Sequence, residues 1–242
     1  MQLKIYKDYH GLSEATANEI IDLVRNKPDA VLCLASGETP RLTCKLLVEK
    51  ATKEKVDLSH ISFIGLDEWM GIPPDNEGSC HYFFHQEIFK PLHFSTKQIH
   101  LFDGMSADQE EECRKMDSTI FEKGTIDLMI VGIGMNGHIG FNEPSVSFNN
   151  YAHIIDLEDI TISGGQKYFK TPITLQKGIT LGLKHLQESK KVLLLANGTK
   201  KASVIKKTID GKVTNEFPAS IMQTHANGFV MVDEEAAALL DH

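Results

Sequence analysis

Three short polar clusters stand directly behind apolar runs in this chain, and each holds residue types that can do chemistry. In the first, residues 31–35 (VLCLA) run into Ser36, Gly37, Glu38, Thr39 and Pro40. Glycine permits a tight turn there, Pro40 is placed to open a helix as its first residue, and exposed amides at a helix start attract anions. The hydroxyls of Ser36 and Thr39 can add hydrogen bonds to a phosphate. The stretch does not match the GxxxxGK[ST] P-loop, however, and Thr or Ser before Pro is also an ordinary helix cap. In the second cluster, Asp67 and Glu68 follow the apolar residues 61–66. Partial burial at a strand end can raise a carboxyl pKa into the range of a general base; the alternative is that one of the pair caps the next turn. The third cluster, NGHIGFNEP, follows a strand whose apolar residues are Ile126, Leu128, Met129, Ile130 and Val131. Here Gly132, Gly134, Gly137 and Gly140 let the backbone turn, and His138 precedes Glu143 by five residues. That arrangement suits an imidazole oriented by a carboxylate, the other reading being a histidine satisfied by backbone.

Cations complete the set. Lys201 follows Asn197 and Gly198 at a helix start and could reach an anion held at the Ser36 loop, while Lys167 lies in GGQKYF; either could equally be surface charge. His81 and His85 have the i, i+4 spacing of a metal pair, but the segment reads HYFFH instead of HExxH and brings no third ligand.

What positions these clusters is an alternation of strands and helices. Residues 2–6 read as an edge strand, 13–25 as a helix capped by Ser13 and ended by Pro28, 31–35 as a strand, and 41–53 as a helix. Residues 61–66 form the next strand, followed by a Gly- and Pro-rich loop at 71–78 and a helix over 79–89. A charged surface helix at 108–123 leads to the strand at 126–131, whose apolar residues Ile126, Leu128, Met129, Ile130 and Val131 suit burial on both faces. Residues 151–170 read as a strand and then a loop, because Gly164 and Gly165 interrupt a helix. Strand 191–198, helix 199–208, strand 228–232 and a short C-terminal helix close the chain. The fold expected is a single α/β domain over residues 1–242, a doubly wound, mainly parallel sheet flanked by helices, modified Rossmann-like. In such sheets ligands bind at the carboxyl ends of the strands, where all three clusters lie.

Composition narrows the function. With 242 residues, 41% hydrophobic, the chain can bury a full core. A net charge of −8 argues against nucleic acid and acidic membranes as partners, without excluding one small anion in a local cationic pocket. Four cysteines without CxxC pairing, an N-terminus lacking the apolar core of a signal peptide, and no apolar run near the ~18 residues of a membrane span indicate a soluble cytoplasmic protein.

Taken together, LASGETP (residues 34–40), LDEW (66–69), GIGMNGHIGFNEP (132–144) and EFPAS (216–220) resemble the glucosamine-6-phosphate and galactosamine-6-phosphate deaminase/isomerases over nearly the whole chain. LDEW and GITLGLK (178–184) look closer to the galactosamine-6-phosphate branch. The resemblance implies a hydrolase and isomerase of amino-sugar metabolism that needs no redox cofactor or metal, with a homo-oligomer as a possible assembly. It implies that Asp67 abstracts the C2 proton of the open-chain sugar and that His138, oriented by Glu143, moves the proton that opens the ring. Ser36, Gly37, Thr39 and Lys201 would hold the phosphate, with Lys167 as a second cation near the place where some relatives have an arginine. Some relatives have aspartate where this chain has Asn136. Asparagine cannot act as a base, so either Glu143 tunes the histidine alone or Asn136 contributes hydrogen bonds only.

Two rivals share the fold. A 6-phosphogluconolactonase would have a similar phosphate loop, but FNEP and LDEW favour the deaminase. A non-catalytic sugar-phosphate sensor should carry a DNA-reading helix-turn-helix, and only some thirty residues precede the first core strand.

Overall fold

The structure, a computed structural model, describes residues 1–240. Its strands are β1 (Gln2–Tyr6), β2 (Val31–Leu34), β3 (Ser62–Gly65), β4 (Asp67–Trp69), β5 (Ile99–His100), β6 (Leu128–Val131), β7 (His153–Asp156), β8 (Lys177–Thr180), β9 (Val192–Ala196) and β10 (Gly228–Asp233). The α-helices are α1 (Tyr9–Asn26), α2 (Glu38–Glu54), α3 (Cys80–Phe84), α4 (Gln109–Glu122), α5 (Asp159–Gly165), α6 (Leu183–Glu188) and α7 (Ala202–Asp210).

Seven strands form one parallel sheet in the order β1-β10-β9-β6-β2-β3-β5. Every residue of β2, β6 and β9 is buried, as their unbroken apolar sequences require. Alternate side chains feed two cores. Leu32, Leu34, Leu128, Ile130, Leu193 and Leu195 face α1 and α2, whereas Cys33, Met129, Val131, Val192 and Leu194 face α4, α6 and α7. At about 1.5–3 kcal/mol for each large apolar side chain fully buried, these two layers dominate the stability.

Chain order along the sheet runs outward from its middle in both directions, through β2, β3 and β5 on one side and β6, β9 and β10 on the other. Between β2 and β6 it reverses, and the crevice beyond their carboxyl ends is where such sheets bind ligands. Both the Ser36 loop and the Gly132 loop leave from that point.

A second sheet was not expected from the sequence. After β3 the chain leaves the large sheet through Leu66 alone and enters β4, which pairs antiparallel with β8, itself antiparallel to β7. Asp67 therefore sits at the seam between the sheets, opposite Thr180. Several boundaries also differ. Helix α1 starts at Tyr9 with Asp8 as its cap, accepting from the Gly11 amide, while Ser13 lies buried within the helix. Helix α2 starts at Glu38, so Pro40 is its third residue, still within the turn whose amides need no intrahelical partner. Gly164 and Gly165 do not interrupt a helix; they form the end of α5, where Gly165 lies against Trp69. After β10, residues 234–240 form turns instead of the expected helix.

Among the described residues no helix is long and apolar enough to cross a membrane.

Candidate active site

A cavity of about 280 Å³ opens over the carboxyl ends of β2, β3 and β6, lined by Ser36, Gly37, Thr39, Asp67, His138, Lys167 and Lys201 among others. It brings together residues from all three sequence clusters. Asn136 and Glu143 are not part of the lining and stand behind His138.

Along one side runs the start of α2. Gly37 is its N-cap, at φ 111° and with no side chain capping the helix. A Cβ at Gly37 would be strained at that φ and would sit 3.1 Å from the Tyr168 hydroxyl. The turn thus presents backbone donors to the cavity, the chemistry of an anion site. Thr39 Oγ1 donates to Asn197 Oδ1 at 3.0 Å, tying this turn to the loop that carries Lys201. Lys201 Nζ donates to the Ile133 carbonyl at 2.5 Å; burial, with Lys167 nearby, lowers its pKa to about 8. Lys167 lies over the Tyr168 ring, 4.9 Å from its centroid. Lys167 and Lys201 repel each other, and a phosphate bound between them would offset that repulsion.

On the opposite side, the two adjacent carboxylates divide their roles. Glu68 accepts from the amides of Trp69 (2.9 Å), Cys80 (3.0 Å) and His81 (2.9 Å), and so caps α3 from outside the helix. Burial pushes Glu68 up to about 7 against the pull of those amides. Asp67 has no such backbone donors. Burial and the neighbouring Glu68 raise its pKa to about 7, with the Cys80 thiol, 3.6 Å from Oδ1, pulling the other way. The sequence left open which of the pair caps a turn; it is Glu68, and Asp67 is left facing the cavity.

His138 approaches from the Gly132 loop. Gly134 leaves room for its ring, since a Cβ there would lie 2.3 Å from the imidazole. Nδ1 is 3.3 Å from Glu143 Oε2 and 3.1 Å from the Thr161 hydroxyl. Glu143 is buried, yet its pKa lies below the ordinary carboxylate value: burial raises it, and His138, Thr161 and Asn136 together outweigh burial. Asn136 Nδ2 donates to Glu143 Oε2 at 2.8 Å and to Glu158 Oε2 at 2.7 Å. Its Oδ1 accepts from the His138 amide at 3.2 Å. An amide between two carboxylates supplies donors where an aspartate would add a third negative charge. Asn136 thus contributes hydrogen bonds, one of the two options the sequence left open.

Sequence reasoning missed four members of this arrangement: Cys80, Glu158, Thr161 and Tyr168. Glu158 and Thr161 belong to the start of α5, hidden by the glycine pair that follows, and Cys80 has no partner within the linear sequence that would single it out. The His81 and His85 rings stack 6.4 Å apart, and His81 Nε2 is within hydrogen-bond distance of the Phe102 carbonyl. Among the described residues no group of three or more His, Cys, Asp or Glu is placed to hold a metal ion.

Comparison with known proteins gives a consistent picture. The profile of a family described as glucosamine-6-phosphate isomerases/6-phosphogluconolactonase matches residues 9–231. The glucosamine-6-phosphate deaminase of Thermoanaerobacter pseudethanolicus is 38% identical over 241 residues, 99% of this chain and 95% of that one. A solved structure of a monomeric glucosamine-6-phosphate deaminase superposes with a TM-score of 0.96 at 33% identity, covering 99% of this chain and 100% of the other. The 6-phosphogluconolactonase of Trypanosoma brucei, at TM-score 0.77 and 16% identity over 99% of this chain and 98% of its own, shares the fold. These findings correct the expected label of hydrolase. The similar proteins at substantial identity are glucosamine-6-phosphate deaminases, while the lactonase is distant.

Proposed function

The chain belongs to the family of glucosamine-6-phosphate isomerases and 6-phosphogluconolactonases, and we propose that its cavity converts a hexosamine 6-phosphate to the ketohexose 6-phosphate with release of ammonia. The observation that carries this reading is Asp67, a half-buried carboxyl whose pKa is raised to about 7, facing the same cavity as the His138–Glu143 pair and the Lys201-lined start of α2.

The α2 amides, the Ser36 and Thr39 hydroxyls, Lys201 and Lys167 hold the phosphate, and that anchoring places C1 and C2 of the sugar over Asp67. His138 takes the proton of the anomeric hydroxyl and passes it to the ring oxygen, which opens the pyranose; Glu143 stabilises the charged imidazolium in between. Asp67 then abstracts the C2 proton. The electron pair moves into C1–C2 as the C1 carbonyl becomes an enol, and a proton returned to C1 leaves an iminium at C2. Water adds at C2, ammonia departs and the ketose remains. A carboxyl with a pKa near 7 suits both halves of this transfer, because it takes up and gives back a proton at small cost near neutral pH.

A single domain over residues 1–242 carries the reaction. The monomeric relative supports a site complete without a partner subunit. Buried free cysteines support a reducing, cytoplasmic setting. Relatives named for glucosamine 6-phosphate make the gluco epimer the first substrate to assay, with galactosamine 6-phosphate as the alternative. The test is to supply each sugar to wild type and Asp67→Asn in the presence of chelator and to measure ammonia and ketose phosphate. Both products from one sugar, lost in the variant, support the reading. Turnover of 6-phosphogluconolactone alone would replace it with lactone hydrolysis.

A further inference from the structure

The sulfur of Cys80 stands between the phosphate loop and the candidate base. Ser36 Oγ donates to Cys80 Sγ at 3.0 Å, and the Cys80 thiol is directed at Asp67 Oδ1, 3.6 Å away. The backbone of Cys80 is fixed separately, because its amide donates to Glu68 at the start of α3. The side chain therefore has a set direction, is buried, and lines the cavity. A thiol both accepts and donates a hydrogen bond, so it can stand in the middle of such a chain, where an apolar side chain of its size could not. Burial together with Glu68 and Asp67 holds its pKa well above the ordinary thiol value, which keeps it a protonated donor near neutral pH.

We propose that Cys80 is a positioning residue whose thiol joins the Ser36 loop to Asp67, so that filling the phosphate site changes the strength of the base. When Ser36 turns its hydroxyl to a bound phosphate oxygen, the sulfur loses the donor that polarises it. Its own S–H then becomes a weaker donor to Asp67, and the carboxylate holds protons more tightly. The base strengthens as a phosphorylated ligand arrives. The inference rests on the deaminase reading for its consequence in catalysis, though the hydrogen-bond chain itself does not depend on that reading.

Other groups face Asp67 as well: Glu68 beside it on β4, the Cys33 thiol from β2, the Tyr168 hydroxyl, and His138, Lys167 and Lys201, which line the same cavity. The experiment must therefore isolate the sulfur. Carbon-13 NMR of protein labelled at aspartate carboxyls, with the Asp67 signal assigned by its loss in Asp67→Asn, is recorded against pH for wild type, Cys80→Ala and Cys80→Ser. Removing the donor in Cys80→Ala is expected to move the Asp67 titration up by about half a pH unit, and Cys80→Ser to restore most of it. Adding inorganic phosphate should raise the titration in wild type by more than in Cys80→Ala, where only the charge of the anion acts. The acid limb of kcat/KM should follow the same order. An unchanged Asp67 titration in folded Cys80→Ala, or an equal response to phosphate in both proteins, would overturn the proposal. If wild type turns over no hexosamine 6-phosphate, the functional reading fails, and the titration still decides the role of Cys80.

Discussion

The two walls of the cavity are built in different ways. The floor consists of the carboxyl ends of β2, β3 and β6, wholly or largely buried strands that lead within two residues to Ser36, to Asp67 and to the glycine loop of His138. The roof is α5 with the 3₁₀ turn Gln166–Tyr168, largely exposed on its outer side, and it brings Lys167 and Tyr168 over the start of α2. Floor and roof touch at the imidazole: Thr161 reaches His138, and Glu158 accepts from Asn136 and donates its amide to Glu143 at 3.3 Å. Placing proton-transfer groups on rigid strand ends and the outer phosphate contact on a short exposed helix separates chemistry from capture.

That division is open to test, beginning where it should show most strongly. Asp67→Asn on the floor should lower kcat by about 10²–10⁴-fold with little change in KM, measured by ammonia release. Glu143→Gln should lower kcat by about 10–100-fold, since the imidazolium loses its counter-charge. The pH profile of kcat/KM should rise through about 7, as Asp67 ionises, and fall above about 8, as Lys201 loses its proton and its hold on phosphate, giving an optimum between the two. On the roof, Lys167→Ala should raise KM by about tenfold and leave kcat nearly unchanged, because an exposed cation contributes mainly to binding. A comparable loss of kcat in Lys167→Ala would erase the distinction between the walls.

The smallest effect expected is one on stability. The folded-state pKa of Asp67 lies above its ordinary value, so folding is favoured with Asp67 protonated, and that contribution is lost as pH rises through about 7. Asp67→Asn should then unfold about 2–4 °C higher than wild type at pH 8, with the gap closing at low pH, as read by thermal melts.

The same division explains what the sequence made legible. Floor residues announce themselves locally, because an apolar run that stops at glycine or at a pair of acids is written within a few consecutive positions. Ser36, Asp67 and His138 could be singled out for that reason. The roof depends on contacts between distant segments. Residues 159–165 are helical although Gly164 and Gly165 have poor propensity, and the small sheet of β4, β8 and β7 beneath them packs Trp69 against Phe141 at 4.5 Å. No local pattern records a pairing such as Asp67 with Thr180. Whether Asp67 or Glu68 caps α3 was undecidable for the same reason, since the amides concerned lie twelve and thirteen positions further on for Glu68.

One pairing bears on how the protein is made. Strand β1 takes its place in the sheet only beside β10, so residues 2–6 must wait for residues 228–233. During synthesis at about 5–20 residues per second, the first strand spends ten seconds or more without its neighbour. The strands of the cavity floor face a shorter wait, since β2 can pair with β3 and then β6 long before β10 is made. A ribosome-bound chain stopped after β6 would already hold the Ser36 loop beside the Gly132 loop, while β1 still lacked its place. Nascent chains of increasing length, probed by limited proteolysis, should therefore gain protection at β2 and β6 before they gain it at β1.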